Sequence, residues 1–159
     1  DVGYLGVNDV LAEKLGFLNY KPLNENVVID NFLRYGQINP QSLGDYAKEV
    51  CQRLSLSGLR VAGELTKKIT QVAVIGGSGG KIEEIDRAIA LGCDCLVTGE
   101  VSLHVGQYAT ARQFSIIEVA HGVEKFVFDS LLTRLNNKFN EVKILISKVN
   151  TDPFIVINN

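Results

Sequence analysis

A histidine and a glutamate stand three residues apart in the stretch His121-Gly122-Val123-Glu124. A buried strand is predicted to end just before His121 and a helix to begin at about Gly122, so both side chains would lie on one face of the first helical turn. An imidazole nitrogen and a carboxylate that converge in this way can bind a divalent cation such as zinc, iron, manganese or nickel. The alternative is a surface histidine beside a glutamate that only stabilises the start of a helix.

A second carboxylate and histidine follow the preceding predicted strand. Glu100 comes directly after Gly99 at the end of that strand, and His104 lies four residues further along the chain. In an open α/β sheet, ligands bind beyond the carboxyl ends of the strands, and both histidines of the chain are predicted to follow such ends. We therefore predict that Glu100 and His104 act in acid–base catalysis or support a metal ligand. The alternative is a pair of polar side chains in a solvated loop.

A glycine-rich loop, Gly76–Gly80, separates a predicted strand from a predicted helix. Its backbone N–H groups could bind an anion, or the loop could form a wall of a substrate cleft. The loop departs from both common phosphate-binding motifs, because Ile82 stands where a P-loop requires serine or threonine and where a dinucleotide fingerprint requires its third glycine. The alternative is a sharp turn that needs the positive φ angles glycine tolerates.

Alternating strands and helices must position these residues. Strands predicted at Gln71–Ile75, Cys93–Thr98 and Ser115–Val119 are connected by helices predicted at Lys81–Ala90 and Val105–Gln113. Crossovers of this kind place consecutive strands parallel to each other. The sequence therefore predicts an α/β fold with a mixed, largely parallel sheet and helices on both faces.

Further elements are predicted around this unit. A first helix is expected with Asn8 or Asp9 as its N-cap, and a second is expected to start at Ser42. The remaining predicted elements are a helix at Val123–Phe139 and strands at Val27–Arg34, which is expected to close at Gly36, and at Gly58–Gly63, Val142–Val149 and Phe154–Ile157.

Composition excludes several functional classes. The 159 residues are 46% hydrophobic and 21% charged, which is typical of a globular protein and not of a disordered one. The net charge of −2 gives no electrostatic footprint for nucleic acid or an anionic membrane, and no apolar run is long enough to span a bilayer. The three cysteines, Cys51, Cys93 and Cys95, predict free thiols in a reducing cytoplasm and no disulfide framework.

Seven short segments occur along the chain in an order that is more specific than any one of them. These segments are Asp1-Val2, Gly6–Ala12, Val74–Gly79, Ala90–Asp94, Val97–Glu100 with His104, His121–Lys125 and Thr151–Phe154. Together they resemble the Nif-three-like family of dinuclear-metal hexameric proteins, whose members are often labelled homologues of GTP cyclohydrolase I type 2. The resemblance implies a Nif-three-like fold, a centre with two divalent metal ions bound by histidines and carboxylates, and assembly into a homohexamer.

The resemblance also assigns ligands. His121 and Glu124 match the C-terminal ligand pair of the family, and Asp1 matches an aspartate ligand that ends a Thr-Asn-Leu-Asp-like stretch. The remaining ligands of the family are adjacent histidines in an N-terminal half. Residues 1–159 are therefore expected to form one α/β unit that resembles the C-terminal portion of a longer two-domain chain, with terminal strands over residues 140–159 packing on the other half. Glu100 departs from the pattern, because the family often has aspartate there.

Three functions are consistent with these observations. The first is metal-dependent hydrolysis in the cytoplasm, of the kind the GTP cyclohydrolase label suggests, with Asp1, His121 and Glu124 as metal ligands and His104 and Glu100 transferring protons. The second is a ring-forming metal-binding or interaction protein without turnover. The third is a simple nucleotide-binding α/β domain, which the departures from the phosphate-binding motifs disfavour. The sequence does not identify a substrate for any of them.

Overall fold

The computed structural model describes residues 3, 5–19 and 32–157. Asp1, the connection at 20–26 and residues 27–31 of the predicted strand Val27–Arg34 lie outside them. The described helices are α1 (Val7–Lys14), α2 (Leu43–Arg53), α3 (Ile82–Ala90), α4 (Leu103–Ala111) and α5 (Val127–Lys138), preceded by a 3₁₀ helix (His121–Phe126). The described strands are β1 (Arg34–Ser42), β2 (Arg60–Ala62), β3 (Lys68–Ile75), β4 (Cys95–Thr98) and β5 (Ser115–Glu118).

The strands form one mixed sheet in the order β1-β3-β4-β5-β2. The three central strands are parallel, with Val72 opposite Cys95 and Cys95 opposite Ser115. The edge strands β1 and β2 pair with them in the antiparallel direction. The predicted α/β fold with a mixed sheet is confirmed, and its parallel part is the centre of the sheet. The carboxyl ends of β3, β4 and β5 consequently lie at the same edge.

Helices cover both faces of this sheet. Successive side chains of a strand point to opposite faces, and β3 shows the result. Val72 and Val74 belong to a buried cluster with residues of α1 and α2, whereas Ala73 and Ile75 belong to a second cluster with residues of α3 and α4. The predicted start of α2 is also confirmed, because the Ser42 hydroxyl accepts a hydrogen bond from the N–H of Asp45 at 3.1 Å.

The predicted strands Val142–Val149 and Phe154–Ile157 are not present. Residues 139–157 contain no helix or strand, and most of their apolar side chains are exposed, as at Leu145 and Phe154. An apolar run becomes a strand only where a neighbouring strand satisfies its backbone N–H and C=O groups. None of the described strands pairs with this segment.

Several other boundaries also differ from the prediction. Strand β1 passes through Gly36 instead of closing there, because its backbone continues to pair with β3 and places Gly36 opposite Val72. Phe17 packs directly on this glycine, where a Cβ would lie 2.9 Å from that of Phe17. The helix predicted at Val123–Phe139 begins with a 3₁₀ turn, a common form of helix start. The N-cap of α1 is Gly6, since the side chains of Asn8 and Asp9 are buried in hydrogen bonds to other segments.

The cysteines and the length of the helices were also predicted from the sequence. Cys51, Cys93 and Cys95 are all free, as predicted, and Cys93 and Cys95 are buried. Burial raises the pKa of the Cys93 thiol to about 11, which keeps it protonated and unreactive near neutral pH. In the part of the chain that the structure describes, no helix has both the length and the apolar character of a membrane span.

Candidate metal centre

His121 lies between two carboxylates at the carboxyl edge of the sheet. Its Nδ1 atom is 2.9 Å from Oε1 of Glu100, and its Nε2 atom is 3.4 Å from Oε2 of Glu124. About half of the His121 side chain and a third of the Glu124 side chain are exposed, so the pair can be reached from solvent. The three-residue spacing of His121 and Glu124 therefore brings the two groups together on one face, as predicted.

The backbone turn that presents His121 is unusual. Strand β5 ends at Glu118, and Ala120 then adopts a φ of 67° and a ψ of 156° immediately before the 3₁₀ helix begins at His121. This region of conformational space is nearly reserved for glycine, and holding another residue in it costs roughly 1–3 kcal/mol. The surrounding structure therefore maintains a strained turn between the end of β5 and the candidate ligand His121.

The glycine loop after β3 forms the wall behind the two candidate ligands. Gly77 has a φ of +58°, and a Cβ placed on it would lie 2.5 Å from Oε1 of Glu124 and 3.3 Å from Nε2 of His121. The carbonyl oxygen of Gly77 accepts a hydrogen bond from the N–H of Glu100 at 2.9 Å. The positive φ confirms the turn expected at this loop, and the close contacts make the loop part of the candidate site.

A cavity of about 300 Å³ opens in front of this wall. Besides His121 and Glu124, its lining includes the loop residues from Gly76 to Gly79, together with Phe32, Lys81 and Glu84. The cavity thus places an aromatic ring, an ammonium group and the backbone of the glycine loop near the candidate ligands. A larger groove of about 670 Å³ lies elsewhere, between β2 and α4, and does not include these ligands.

The hydrogen bond to Glu100 sets the electrostatic state of His121. It raises the pKa of the imidazole above its ordinary value, burial opposes the rise, and the charge of Glu124 adds to it. When Nδ1–H donates to Glu100, the neutral ring presents the lone pair of Nε2 towards Glu124. A carboxylate on one nitrogen and a free lone pair on the other is the arrangement that orients metal-binding histidines in proteins.

Replacing Glu100 with glutamine is expected to lower the pKa of His121. The amide can still accept the hydrogen bond, but it carries no charge to stabilise the imidazolium. The pKa can be measured from the pH dependence of the ring Cε1–H signal by NMR, with Glu64→Gln as a control at an exposed carboxylate that contacts Thr66. An unchanged titration in Glu100→Gln would contradict the geometry described above.

Comparison with known proteins places the chain in a family. The profile of the Duf34/NIF3 (NGG1p interacting factor 3) family matches residues 1–153. The chain belongs to the Duf34/NIF3 family. Membership confirms the resemblance inferred from the seven ordered segments.

Several known proteins are similar to this Duf34/NIF3 chain in sequence or in fold. A Staphylococcus aureus (strain MSSA476) protein named GTP cyclohydrolase 1 type 2 homolog is 36% identical over 120 residues, which are 73% of this chain and 32% of that protein. Staphylococcus aureus protein SA1388 has a crystal structure with a TM-score of 0.86 and 25% identity, covering 99% of this chain and 66% of that one. The structure of a Bacillus cereus protein related to NIF3, at 22% identity, shows the same fold with a TM-score of 0.85 and covers 96% of this chain and 70% of that one. The chain thus aligns with about a third of the length of its curated relative.

The donor set of this Duf34/NIF3 chain fits part of a metal site. Among the described residues, no group of three or more His, Cys, Asp or Glu side chains converges on one point. Glu100 and Glu124 contact opposite nitrogens of the His121 ring, so only Glu124 lies beside Nε2. Imidazole nitrogen and carboxylate oxygen are donors that zinc, iron, manganese and nickel accept. The third predicted ligand, Asp1, lies outside the described residues.

The two residues predicted to transfer protons are placed differently. His104 is exposed in the first turn of α4, and its Nδ1 atom lies 3.1 Å from the hydroxyl of Ser102. Glu100 forms its side-chain hydrogen bond with His121. The structure therefore groups Glu100 with the candidate metal ligands, in the supporting role that the sequence left open, and does not join it to His104 by a hydrogen bond.

The sequence predicts a turn, or the wall of a cleft, at the glycine loop, but it does not predict the contact between Gly77 and Glu124. The contact with Glu124 depends on where the 3₁₀ helix returns to the sheet, 47 residues later in the sequence. No local pattern in the loop carries that information.

Proposed function

We propose that this chain contributes ligands to a dinuclear divalent-metal centre of a cytoplasmic metal-dependent hydrolase. The observation that carries the proposal is the meeting of His121 Nε2 and the Glu124 carboxylate at 3.4 Å, beside a cavity at the carboxyl edge of the parallel strands. His121 and Glu124, together with Asp1, would hold the metal ions, which would be zinc, iron, manganese or nickel. Such ions supply Lewis-acid activation of water and stabilise developing negative charge in hydrolysis.

Three other residues, Glu100, Gly77 and His104, would support metal binding and catalysis. Glu100 holds the imidazole of His121 by Nδ1 and so directs Nε2 towards Glu124. Gly77 leaves room for the Glu124 carboxylate next to the ring. His104, exposed at the start of α4, and Glu100 would exchange protons with substrate or solvent.

The reaction class is suggested by the names of the relatives. The Staphylococcus aureus protein that is 36% identical is called a GTP cyclohydrolase 1 type 2 homolog, and we extend that label to this chain as a hydrolase of the same general kind. The cavity, whose lining includes Phe32, Lys81 and the glycine loop, is compatible with a polar substrate that carries a planar group.

A ring-forming metal-binding or interaction protein without turnover is the second candidate. It is favoured by apolar side chains that stay exposed on the described surface, among them Leu103 in α4 and Leu145, Phe154 and Ile157 near the C-terminus. Exposed apolar groups that form a contiguous patch mark surfaces that associate with other chains. A homohexamer would cover them in either candidate function.

Metal content and turnover of the intact protein test both candidates. We expect two divalent ions per chain by elemental analysis, and hydrolysis of GTP or another nucleotide that stops on chelation and returns when one of the four metals is added back. Metal binding without turnover on a broad nucleotide panel would favour the second candidate. An intact protein that binds none of the four metals would contradict both.

A further inference from the structure

A buried asparagine in α1 contacts the glycine loop. Only 1% of Asn8 is exposed, and both ends of its carboxamide are used. Its Oδ1 atom accepts a hydrogen bond from the N–H of Gly76 at 2.7 Å, and its Nδ2 atom donates to the carbonyl oxygen of Phe32 at 2.8 Å. Because a buried polar group is costly unless its partners are satisfied, these two bonds fix the side chain in one orientation.

The first turn of α1 gives Asn8 a rigid base. The neighbouring Asp9 is buried, forms an ion pair with the equally buried Arg34 at the start of β1, and accepts a hydrogen bond from the N–H of Leu5 at 2.8 Å. These contacts join the first turn of α1 to the start of β1, and removing either partner of the ion pair would leave a buried charge uncompensated. The position of Asn8 is therefore set by the helix and the sheet, and not by the loop that it contacts.

The loop transmits this position to the candidate ligands. Gly76, which Asn8 holds, is followed directly by Gly77, whose Cα faces the carboxylate of Glu124 and the ring of His121. The carbonyl group of Gly77 also accepts the N–H of Glu100, the residue that orients His121. A shift of the Gly76–Gly77 backbone would therefore reach all three side chains of the centre.

We propose that Asn8 is a positioning residue of the candidate metal centre. Its carboxamide fixes the Gly76–Gly77 backbone, and this backbone holds Glu124 and His121 at the spacing of a ligand pair. Asn8 acts through the loop and touches neither metal nor substrate. The inference rests on the proposed metal-binding function, and the experiment below separates the failure of one from the failure of the other.

Zinc titration of three variants of the intact protein tests the proposal. Asn8→Ala removes both hydrogen bonds and is expected to weaken Zn²⁺ binding by about tenfold or more, the range for residues that orient metal ligands. Val10→Ala shortens another buried side chain of α1, one that is not among the nearest neighbours of the loop glycines, and should change Zn²⁺ affinity less than about twofold even where it lowers the melting temperature as much. Asn8→Asp keeps an acceptor for the Gly76 N–H and should lose less affinity than Asn8→Ala.

A measurement on the metal-free protein makes the result independent of metal binding. In Asn8→Ala, the amide of Gly76 should lose protection from hydrogen exchange and the His121 ring signals should move, whereas Val10→Ala should leave both unchanged. If the unmodified protein does not bind Zn²⁺, the proposed function fails, and these NMR signals still decide the role of Asn8. If Asn8→Ala does not fold, Asn8→Leu, which also removes both hydrogen bonds but keeps a side chain of similar size, provides the same comparison. Equal effects of the alanine variants, or unchanged Gly76 protection, would overturn the inference.

Discussion

Replacing His121 with alanine in the intact protein is expected to remove metal from the centre and abolish metal-dependent turnover, while the fold remains intact. The imidazole nitrogen is a direct donor to a borderline metal, and alanine offers no replacement. About half of the His121 side chain is exposed, so its loss removes little packing. The expected result is therefore a large loss of bound metal with little change in the melting temperature of the apo protein.

Metal per chain and apo melting temperature, measured on the same preparation, check this result. His104→Ala is the matched control, because His104 is the other histidine of the chain and is exposed beside Ser102. It should retain metal, and it should lose turnover if His104 transfers protons. A lower melting temperature with unchanged metal content in His121→Ala would show that this histidine is structural and that the ligand assignment is wrong.

Replacing Gly77, in the loop behind His121 and Glu124, with alanine is expected to weaken metal binding at the candidate centre. The added Cβ would lie 2.5 Å from Oε1 of Glu124, and the φ of +58° is unfavourable for alanine by roughly 1–2 kcal/mol. Because the carboxylate is the end of a flexible side chain, Glu124 would swing away while the fold survives. We expect Zn²⁺ affinity to fall by about 10–100-fold, since the spacing of Glu124 and His121 would be lost.

Gly122→Ala provides the control for this change. Gly122 lies next to His121, but a Cβ there would meet nothing within 4 Å. The variant should retain Zn²⁺ affinity and differ little in stability. Calorimetric titration and thermal unfolding of the two variants together measure the contrast, and equal affinities for Gly77→Ala and the unmodified protein would show that the loop does not position Glu124.

The features that the sequence predicted well depend on short-range order. The alternation of buried strands with helices follows from local hydrophobic patterns, and it correctly predicted β3, β4 and β5 with α3 and α4 between them. The contact of His121 with Glu124 was equally accessible, because three residues along one helical turn are neighbours whatever the rest of the fold does.

The features that the sequence did not predict depend on how distant segments are placed. The pairing of Glu100 with His121 requires the register that sets Thr98 opposite Glu118 in β4 and β5. The bond from Gly76 to Asn8 spans 68 residues and crosses from the sheet to α1. The terminal apolar segments were predicted as strands from their composition, but a strand also needs a neighbour to pair with, and composition does not supply one.

At the strained turn of Ala120, a more stable fold and a well-oriented His121 imidazole require different residues. Selection for a higher melting temperature would favour glycine at this position, because glycine adopts a φ of 67° and a ψ of 156° without steric strain. The same glycine would make the backbone between β5 and the imidazole of His121 more flexible, whereas alanine restricts it to fewer conformations. The Ala120→Gly variant would therefore have a more stable fold but a less well-oriented His121 side chain.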